Sequence, residues 1–393
     1  MKMPKITFWR AVFVFLMLGG LYSFFIRAYY GLGASTNLSD KFPWGIWIGF
    51  DILCGVGLAA GGFTLVAVVH IFNIERYKPI LRPTILTAYL GYVLVTVGLM
   101  FDLGRPDRIW HPLVMWNPHS VMFEVAWCVM LYTTVLTLEF APAVCEKFGW
   151  NIARKWLSAL SVPVVILGVV LSTLHQSSLG SLFLIVPSKM YPLWYTPFLP
   201  VFFFVSAICV GMAMTIFESW HSSRAFNREI HHSLMAHMGQ ILAVATAAYL
   251  VLRFADMRHR EVFNLLWIPR TETYSFWLEI GFFFVGMVLL TQSRVRNHPA
   301  ALYASAVLII FGFVTNRLNV SIISMESASG THYIPKWTEF MVTLSIIALG
   351  FAIFRAAVKY LPVFEPKESE DVAVHLDREQ PVKDDISQPL CSV

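Results

Sequence analysis

Charge is what this sequence has least of. Asp, Glu, Lys and Arg together make up 13% of its 393 residues, against about a quarter in an ordinary soluble domain. A chain so poor in charge cannot cover a surface facing water. That excludes the two or three soluble domains its length would allow, and it excludes a disordered chain as well. Cysteine is also scarce. Cys54, Cys128, Cys145, Cys209 and Cys391 form neither a C-x-x-C pair nor a ferredoxin spacing, so the chain carries no readable iron–sulfur motif and no disulfide framework. Strict polar–apolar alternation over about ten residues, the mark of a membrane-spanning strand, is missing too.

What is present is apolar and aromatic: 57% hydrophobic residues, 15% Phe, Trp and Tyr, and a mean hydropathy of +0.64. A helix crosses a bilayer with about 20 apolar residues. Ten such runs occur, near 8–28, 44–70, 83–103, 118–141, 156–176, 197–220, 234–253, 274–292, 299–317 and 337–360. The expected fold is an all-α integral membrane protein with about ten transmembrane helices. The first run follows Lys2, Lys5 and Arg10 as a signal peptide would. No small-x-small cleavage site follows it and Arg27 closes it, so it reads as a retained span. With a cytoplasmic N-terminus, every inner segment holds at least two Lys or Arg, as the positive-inside rule requires. Both termini are then cytoplasmic, and lipid rather than nucleic acid is the surrounding that this charge pattern addresses. Residues 362–393 are charged and poor in aromatics and read as a disordered cytoplasmic tail.

The spans hold an internal echo. Ser-x-x-x-Glu opens the fourth (Ser120 to Glu124) and the eighth (Ser275 to Glu279). The third closes with Asp102, Arg105 and Arg108, the seventh with Arg253, Asp256 and Arg258. The fifth closes on Thr173-Leu-His175, the ninth on Thr315-Asn-Arg317. These offsets predict two four-helix bundles, spans 2–5 and 6–9, in parallel repeat and flanked by spans 1 and 10. The corresponding divisions are 1–43, 44–181, 182–320, 321–361 and 362–393. The halves differ in chemistry. Asp51 has no acidic counterpart in span 6, where Pro200 stands, and Arg317 replaces His175. The first half keeps groups able to exchange a proton near neutrality. In the second half Arg253, Glu279, Arg317 and Glu339 are expected to form structural ion pairs, with Glu279 and Arg317 joining spans 8 and 9.

Ionisable side chains inside spans are costly and point to function. In the first bundle Asp51, Asp102, Glu124 and His175 are expected at one level near the outer face, with Arg105, Arg108, His111 and His119 capping them and Trp44, Trp47, Trp110 and Trp116 around them. An interfacial belt explains the tryptophans and the arginines. It does not explain Asp51 and Glu124, whose side chains are too short to snorkel. The run Gln176-Ser-Ser-Leu-Gly-Ser181 reads as re-entrant or cavity-lining backbone. Carboxylates, an imidazole, aromatic walls and access from lipid suit a quinone, because oxidising a quinol needs hydrogen-bond partners for both ring oxygens and a base for each proton.

Two other readings compete. A b-type haem takes two facing histidines; the spans offer only His70, His119, His175 and His237, all near span ends. A secondary transporter would place its charges near the midplane, whereas here they crowd one face. A proton path from the inner face would use Glu139 and Glu218, with His70, Tyr89, Tyr92 and Thr96, or His237, Gln240 and Tyr249. Pro142, just past Glu139, is expected to loosen the inner end of span 4.

Several stretches resemble the NrfD/PsrC family: Phe42-Pro-Trp-Gly-Ile-Trp-Ile-Gly-Phe-Asp51, Asp102-Leu-Gly-Arg105, Ser120-x-x-x-Glu124, Glu139-Phe-Ala-Pro-Ala and His175-Gln-Ser-Ser-x-Gly-Ser181. The likeness runs from about residue 10 to 361 and is nearest to the ten-span HybB/HmcC-like branch. The resemblance implies a membrane subunit without haem or iron–sulfur cluster, in a bacterial inner membrane. It would exchange electrons between menaquinone and an extracytoplasmic iron–sulfur, ferredoxin-like partner. Further redox subunits, such as a hydrogenase or a multihaem cytochrome, would complete the complex.

Overall fold

The computed structural model describes residues 7–71, 74–227 and 232–364. Among the described residues, ten helices are long and apolar enough to cross a membrane. Span 1 is Phe8–Tyr30, span 2 Trp47–His70, span 3 Glu75–Asp102, span 4 Val121–Phe148 and span 5 Ser161–Ser181. Span 6 is Leu199–Phe226, span 7 His232–His259, span 8 Thr271–Thr291, span 9 Pro299–Ser329 and span 10 Trp337–Tyr360. The tail expected to be disordered falls almost wholly in 365–393, outside the described residues.

The packing follows the burial of each helix. Spans 2 and 6 are the most buried and lie at the centre. Spans 2, 3, 4 and 5 touch in a ring, as do 6, 7, 8 and 9, and the rings meet where span 2 packs on spans 6 and 9 and span 5 on span 6. Spans 1 and 10 pair with each other, and span 10 rests on span 3. Gly180 permits the junction of spans 5 and 6, because a Cβ there would lie 2.7 Å from the Leu199 carbonyl oxygen. Odd spans run one way and even spans the other. Arg27 at the end of span 1 donates to the carbonyls of Phe101 (2.8 Å) and Leu103 (2.5 Å) at the end of span 3. Arg82 near the start of span 3 reaches Glu146 (3.3 Å) and the Pro362 carbonyl (3.2 Å). Both described chain ends therefore share one face, called here the terminal face; the opposite one is the far face.

Four local expectations are corrected. Span 9 does not stop at 317 but continues to Ser329, through a π-helical stretch at Asn319–Ile323. Its polar residues looked like a helix end, yet they are buried and bonded inside the protein: Asn319 donates to the Ser275 carbonyl and Ser321 to the Arg317 carbonyl. The helix runs through residues 320 and 321, where a division was expected. Span 4 continues past Pro142 to Phe148, so that proline is interior. The run after His175 is not re-entrant. It is regular helix to Ser181, with the Ser178 hydroxyl donating back to the Leu174 carbonyl at 2.8 Å. Finally, residues 156–159 belong not to span 5 but to a separate amphipathic helix, Asn151–Ala159, with Ile152 and Trp156 exposed on it.

Candidate functional site

Span 2 enters from the far face through a π-helical stretch, Trp47–Ile52. Such widened turns recur at functional sites, and this one carries Asp51. The side chain is 6% exposed. Its Oδ2 accepts from the Thr343 hydroxyl of span 10 at 2.9 Å, and its Cβ faces Gly98 of span 3. Asp102, one helical turn on from Gly98, lies within electrostatic reach of Asp51, of Arg27 and of Glu339. Its Oδ1 is buried without a hydrogen-bond partner. Two carboxyls thus lie within electrostatic reach of each other at the far ends of spans 2 and 3, with Arg27 of span 1 and Thr343 of span 10 beside them.

His175 and Gln176 are buried, at 0% and 1% exposure, but not at this level. His175 Nδ1 and the Tyr92 hydroxyl are 2.9 Å apart. Tyr92 lies six residues from Gly98, about 9 Å deeper along span 3. Its ring meets Tyr132 of span 4 edge-on at 4.7 Å. His175 Nε2 is buried without a hydrogen-bond partner among the described residues, and the buried Ser172 hydroxyl lies beside the Tyr92 and Tyr132 hydroxyls. Gln176 donates to the Val56 carbonyl at 3.2 Å. Glu139, two turns beyond Tyr132, packs its carboxyl against Gly168 of span 5. Below the carboxyl pair, His175, Tyr92 and Tyr132 thus form a polar column on spans 3, 4 and 5, with Glu139 two turns beyond Tyr132.

The remaining expected site residues are elsewhere. Glu124 is exposed, its Oε1 accepting from Ser178 at 2.5 Å. Arg105 pairs with exposed Asp107 at 2.9 Å in the loop between spans 3 and 4. The Asp107 carboxylate holds the guanidinium above its ordinary range. His119 is exposed in the same loop, and His70 is exposed at the terminal-face end of span 2. The single level expected for Asp51, Asp102, Glu124 and His175 is thus replaced by a pair, a deeper column and an exposed rim.

The expected Glu279–Arg317 ion pair is also corrected. Glu279 accepts from Trp194 Nε1 (2.8 Å), Asn316 Nδ2 (2.8 Å) and Asn319 Nδ2 (2.9 Å). Arg317 donates to Asn316 Oδ1 (2.7 Å), the Ser206 hydroxyl (2.9 Å) and the Phe203 carbonyl (3.1 Å). Its guanidinium lies 3.6 Å from the Phe203 ring centre and 4.3 Å from that of Phe313. Asn316 therefore links the two charges that were expected to touch. Arg253 donates to the Leu193 carbonyl at 3.1 Å. Glu339 caps span 10 instead: it accepts from the Lys336 (2.8 Å) and Asn37 (3.0 Å) backbone amides and from the Tyr333 hydroxyl (2.5 Å). Burial, and then that bond to Glu339, push the Tyr333 phenol well above its usual range.

Thr343, Arg27, Tyr132 and Ser172 escaped the sequence reading. Thr343 and Arg27 sit in spans assigned to the flanks, and no pattern in a single chain links them to Asp51 or Asp102. Tyr132 had a signal, since it lies seven residues before Glu139 on the same helix face.

Residues 34–325 match the family described as Polysulphide reductase, NrfD. The stretch takes in spans 2–8 and most of span 9, and leaves out Arg27 and Thr343. A protein of Nitratidesulfovibrio vulgaris is 37% identical over 360 residues, 88% of this chain and 92% of that one. The probable Ni/Fe-hydrogenase 2 b-type cytochrome subunit of Escherichia coli is 32% identical over 350 residues, covering 88% and 89%. The menaquinone reductase integral membrane subunit of N. vulgaris is 28% identical over 403 residues, covering 94% of each chain.

Proposed function

The chain belongs to the NrfD family, and from that membership we propose that it is the quinone-reactive membrane subunit of a respiratory oxidoreductase complex. The membrane is the bacterial inner membrane, the terminal face is cytoplasmic, and the quinone site lies at the far ends of spans 2 and 3. The relatives named for menaquinone reductase and for a hydrogenase support quinone as the substrate and redox subunits as partners.

One observation carries the reading: buried Asp51 and half-buried Asp102 lie within electrostatic reach of each other, and the buried Asp102 Oδ1 has no hydrogen-bond partner among the described residues. Oxidising a quinol releases two protons and two electrons. The two carboxyls supply a base for each proton, and Thr343 fixes the orientation of Asp51. The same groups return protons when a quinone is reduced. The electrons pass to or from an iron–sulfur, ferredoxin-like partner docked on the far face. There the loop between spans 3 and 4 exposes Trp110, Val114, Met115 and Trp116, the kind of aromatic and methionine surface that interfaces favour. The polar column below the site is the path by which protons reach it from the cytoplasmic side.

Haem is not part of this reading, although one relative bears a cytochrome name. The span histidines do not support a facing pair. His175 is engaged by Tyr92, His237 by Tyr77 (2.8 Å) and His221 by Tyr303 (3.0 Å), and His119 and His70 are exposed at opposite faces. A reduced-minus-oxidised absorbance spectrum of the purified subunit tests this. For the quinone site the test is Asp51→Asn in the whole complex. Quinol-dependent turnover is expected to fall at least about a hundredfold, the lower end for loss of a general base, with subunit abundance unchanged. Wild-type turnover would overturn the assignment.

A further inference from the structure

A cavity lies between spans 3, 6 and 10, on the terminal-face side of the Asp51–Asp102 pair; its deep end, at Leu94 and Ile347, is about one helical turn from Gly98 and Thr343, which touch Asp51. Its volume is about 610 Å³, inside the range of roughly 300–1,000 Å³ usual for small-molecule sites. Counted from the terminal-face ends of the helices, its lining starts at Ala225 and Phe226 in the last turn of span 6, passes Arg355, about 8 Å in, and reaches Ile347 and Leu94, roughly 20–28 Å in. It therefore lies within the hydrocarbon layer. The Phe226 ring, against Phe354 at 6.4 Å and Phe364 at 5.8 Å, stands between the cavity and the terminal face. An occupant enters from lipid.

The lining is apolar apart from Arg355 at its shallow end and one strip on spans 3 and 6 that includes Ser222. Glu218 and His221 are three residues apart on one face of span 6, with Thr87 of span 3 beside Glu218. The Thr87 hydroxyl hydrogen-bonds the Glu218 carboxyl, whose Oε1 atom is buried without a hydrogen-bond partner among the described residues. It sits eight residues, about 12 Å, above the end of span 6, and an unsatisfied polar atom there is costly. A ligand bearing a carbonyl or hydroxyl oxygen at that depth would remove the cost. A phospholipid would bring its phosphate to Arg355 at the shallow end and leave an acyl chain against Glu218. A neutral head with two oxygens on a long apolar tail matches the cavity along its whole length. A carboxyl can donate to a quinone carbonyl or accept from a quinol hydroxyl.

We propose that this cavity is a second quinone site, which holds the ring of an isoprenoid quinone or quinol at Glu218 and His221 and its tail along Leu94, Ile347 and Phe351. The inference rests on the reading of the chain as quinone-reactive and adds a site at the opposite end of the bilayer from Asp51.

The test is photolabelling of the intact complex in lipid nanodiscs with an azido-naphthoquinone carrying a prenyl tail, followed by peptide mapping. Label is expected on peptides containing residues 214–226 and 347–355 as well as 47–56, and excess menaquinone should suppress it at both places. Ala225→Trp, which fills the cavity wall, is expected to cut cavity labelling at least fivefold and leave the labelling at 47–56 unchanged. Glu218→Gln preserves packing and is expected to lower cavity labelling severalfold. Label confined to 47–56, or cavity labelling indifferent to both substitutions, would overturn the second site while leaving the quinone reading intact. So would native mass spectrometry that finds only phospholipid lost on Ala225→Trp. Label at neither place would overturn the quinone reading itself.

Discussion

Replacing Thr343 by Val removes one hydroxyl and keeps the side-chain volume. The hydroxyl donates to Asp51 Oδ2 at 2.9 Å, and both residues are buried, at 4% and 6% exposure. Water has little access to take its place. A hydrogen bond to a charged group contributes about 1.5–3 kcal/mol. At about 1.4 kcal/mol for each factor of ten in rate, a carboxyl released from its working orientation slows quinol turnover roughly tenfold to a hundredfold. Thr343→Ser keeps the donor and is expected to retain most of the activity. The assay is quinol-dependent turnover of the purified complex, normalised to the amount of this subunit. Thr343 acts through Asp51, so the defect should vanish in an Asp51→Asn background, where the proton acceptor is already gone. Wild-type turnover in Thr343→Val, or equal loss in the Ser and Val variants, would refute the positioning role.

Arg317→Ala leaves Asn316, Ser206 and the Phe203 carbonyl without their donor. Breaking a buried charged network costs about 3–5 kcal/mol, so subunit abundance in membranes should drop while turnover per assembled complex stays near normal. A variant that accumulates normally but cannot turn over would reverse this. His175→Ala should abolish quinol turnover and leave assembly intact, and Tyr92→Phe should slow turnover roughly tenfold, the loss of about one hydrogen bond; wild-type rates in both would make the column purely structural. Glu139→Gln should lower the membrane potential formed by reconstituted complex, and an unchanged potential would exclude a path through span 4. Tyr333→Phe removes the bond to Glu339 and should lower the Tm. Because burial raises that phenol, its contribution is complete below the usual tyrosine range of about 10 and is lost only as pH rises through the higher folded-state value, so the Tm difference should be equal at pH 6 and pH 9.

Ten spans were legible in the sequence because lipid imposes one simple rule. A crossing helix needs about 20 apolar residues, and hydropathy records that locally, whatever the helix packs against. Asp51 and His175 could be singled out for a related reason: ionisable side chains inside a span are costly wherever they end up. Composition could not rank depth. Asp51, Asp102, Glu124 and His175 looked level when counted from loop residues, but the helices overrun those loops, and span 9 overruns by twelve residues because its polar side chains find partners inside the protein. Nor could charge counting foresee that Asn316 would stand between Glu279 and Arg317, since opposite charges in one chain say nothing of the amide that reaches both first. Partners were decided by tertiary structure alone. Thr343 reaches Asp51 across 292 residues of sequence, because span 10 folds back onto span 3 at the level of Gly98. Periodicity within a helix names the face a residue occupies, and only the packing of helices names what that face meets.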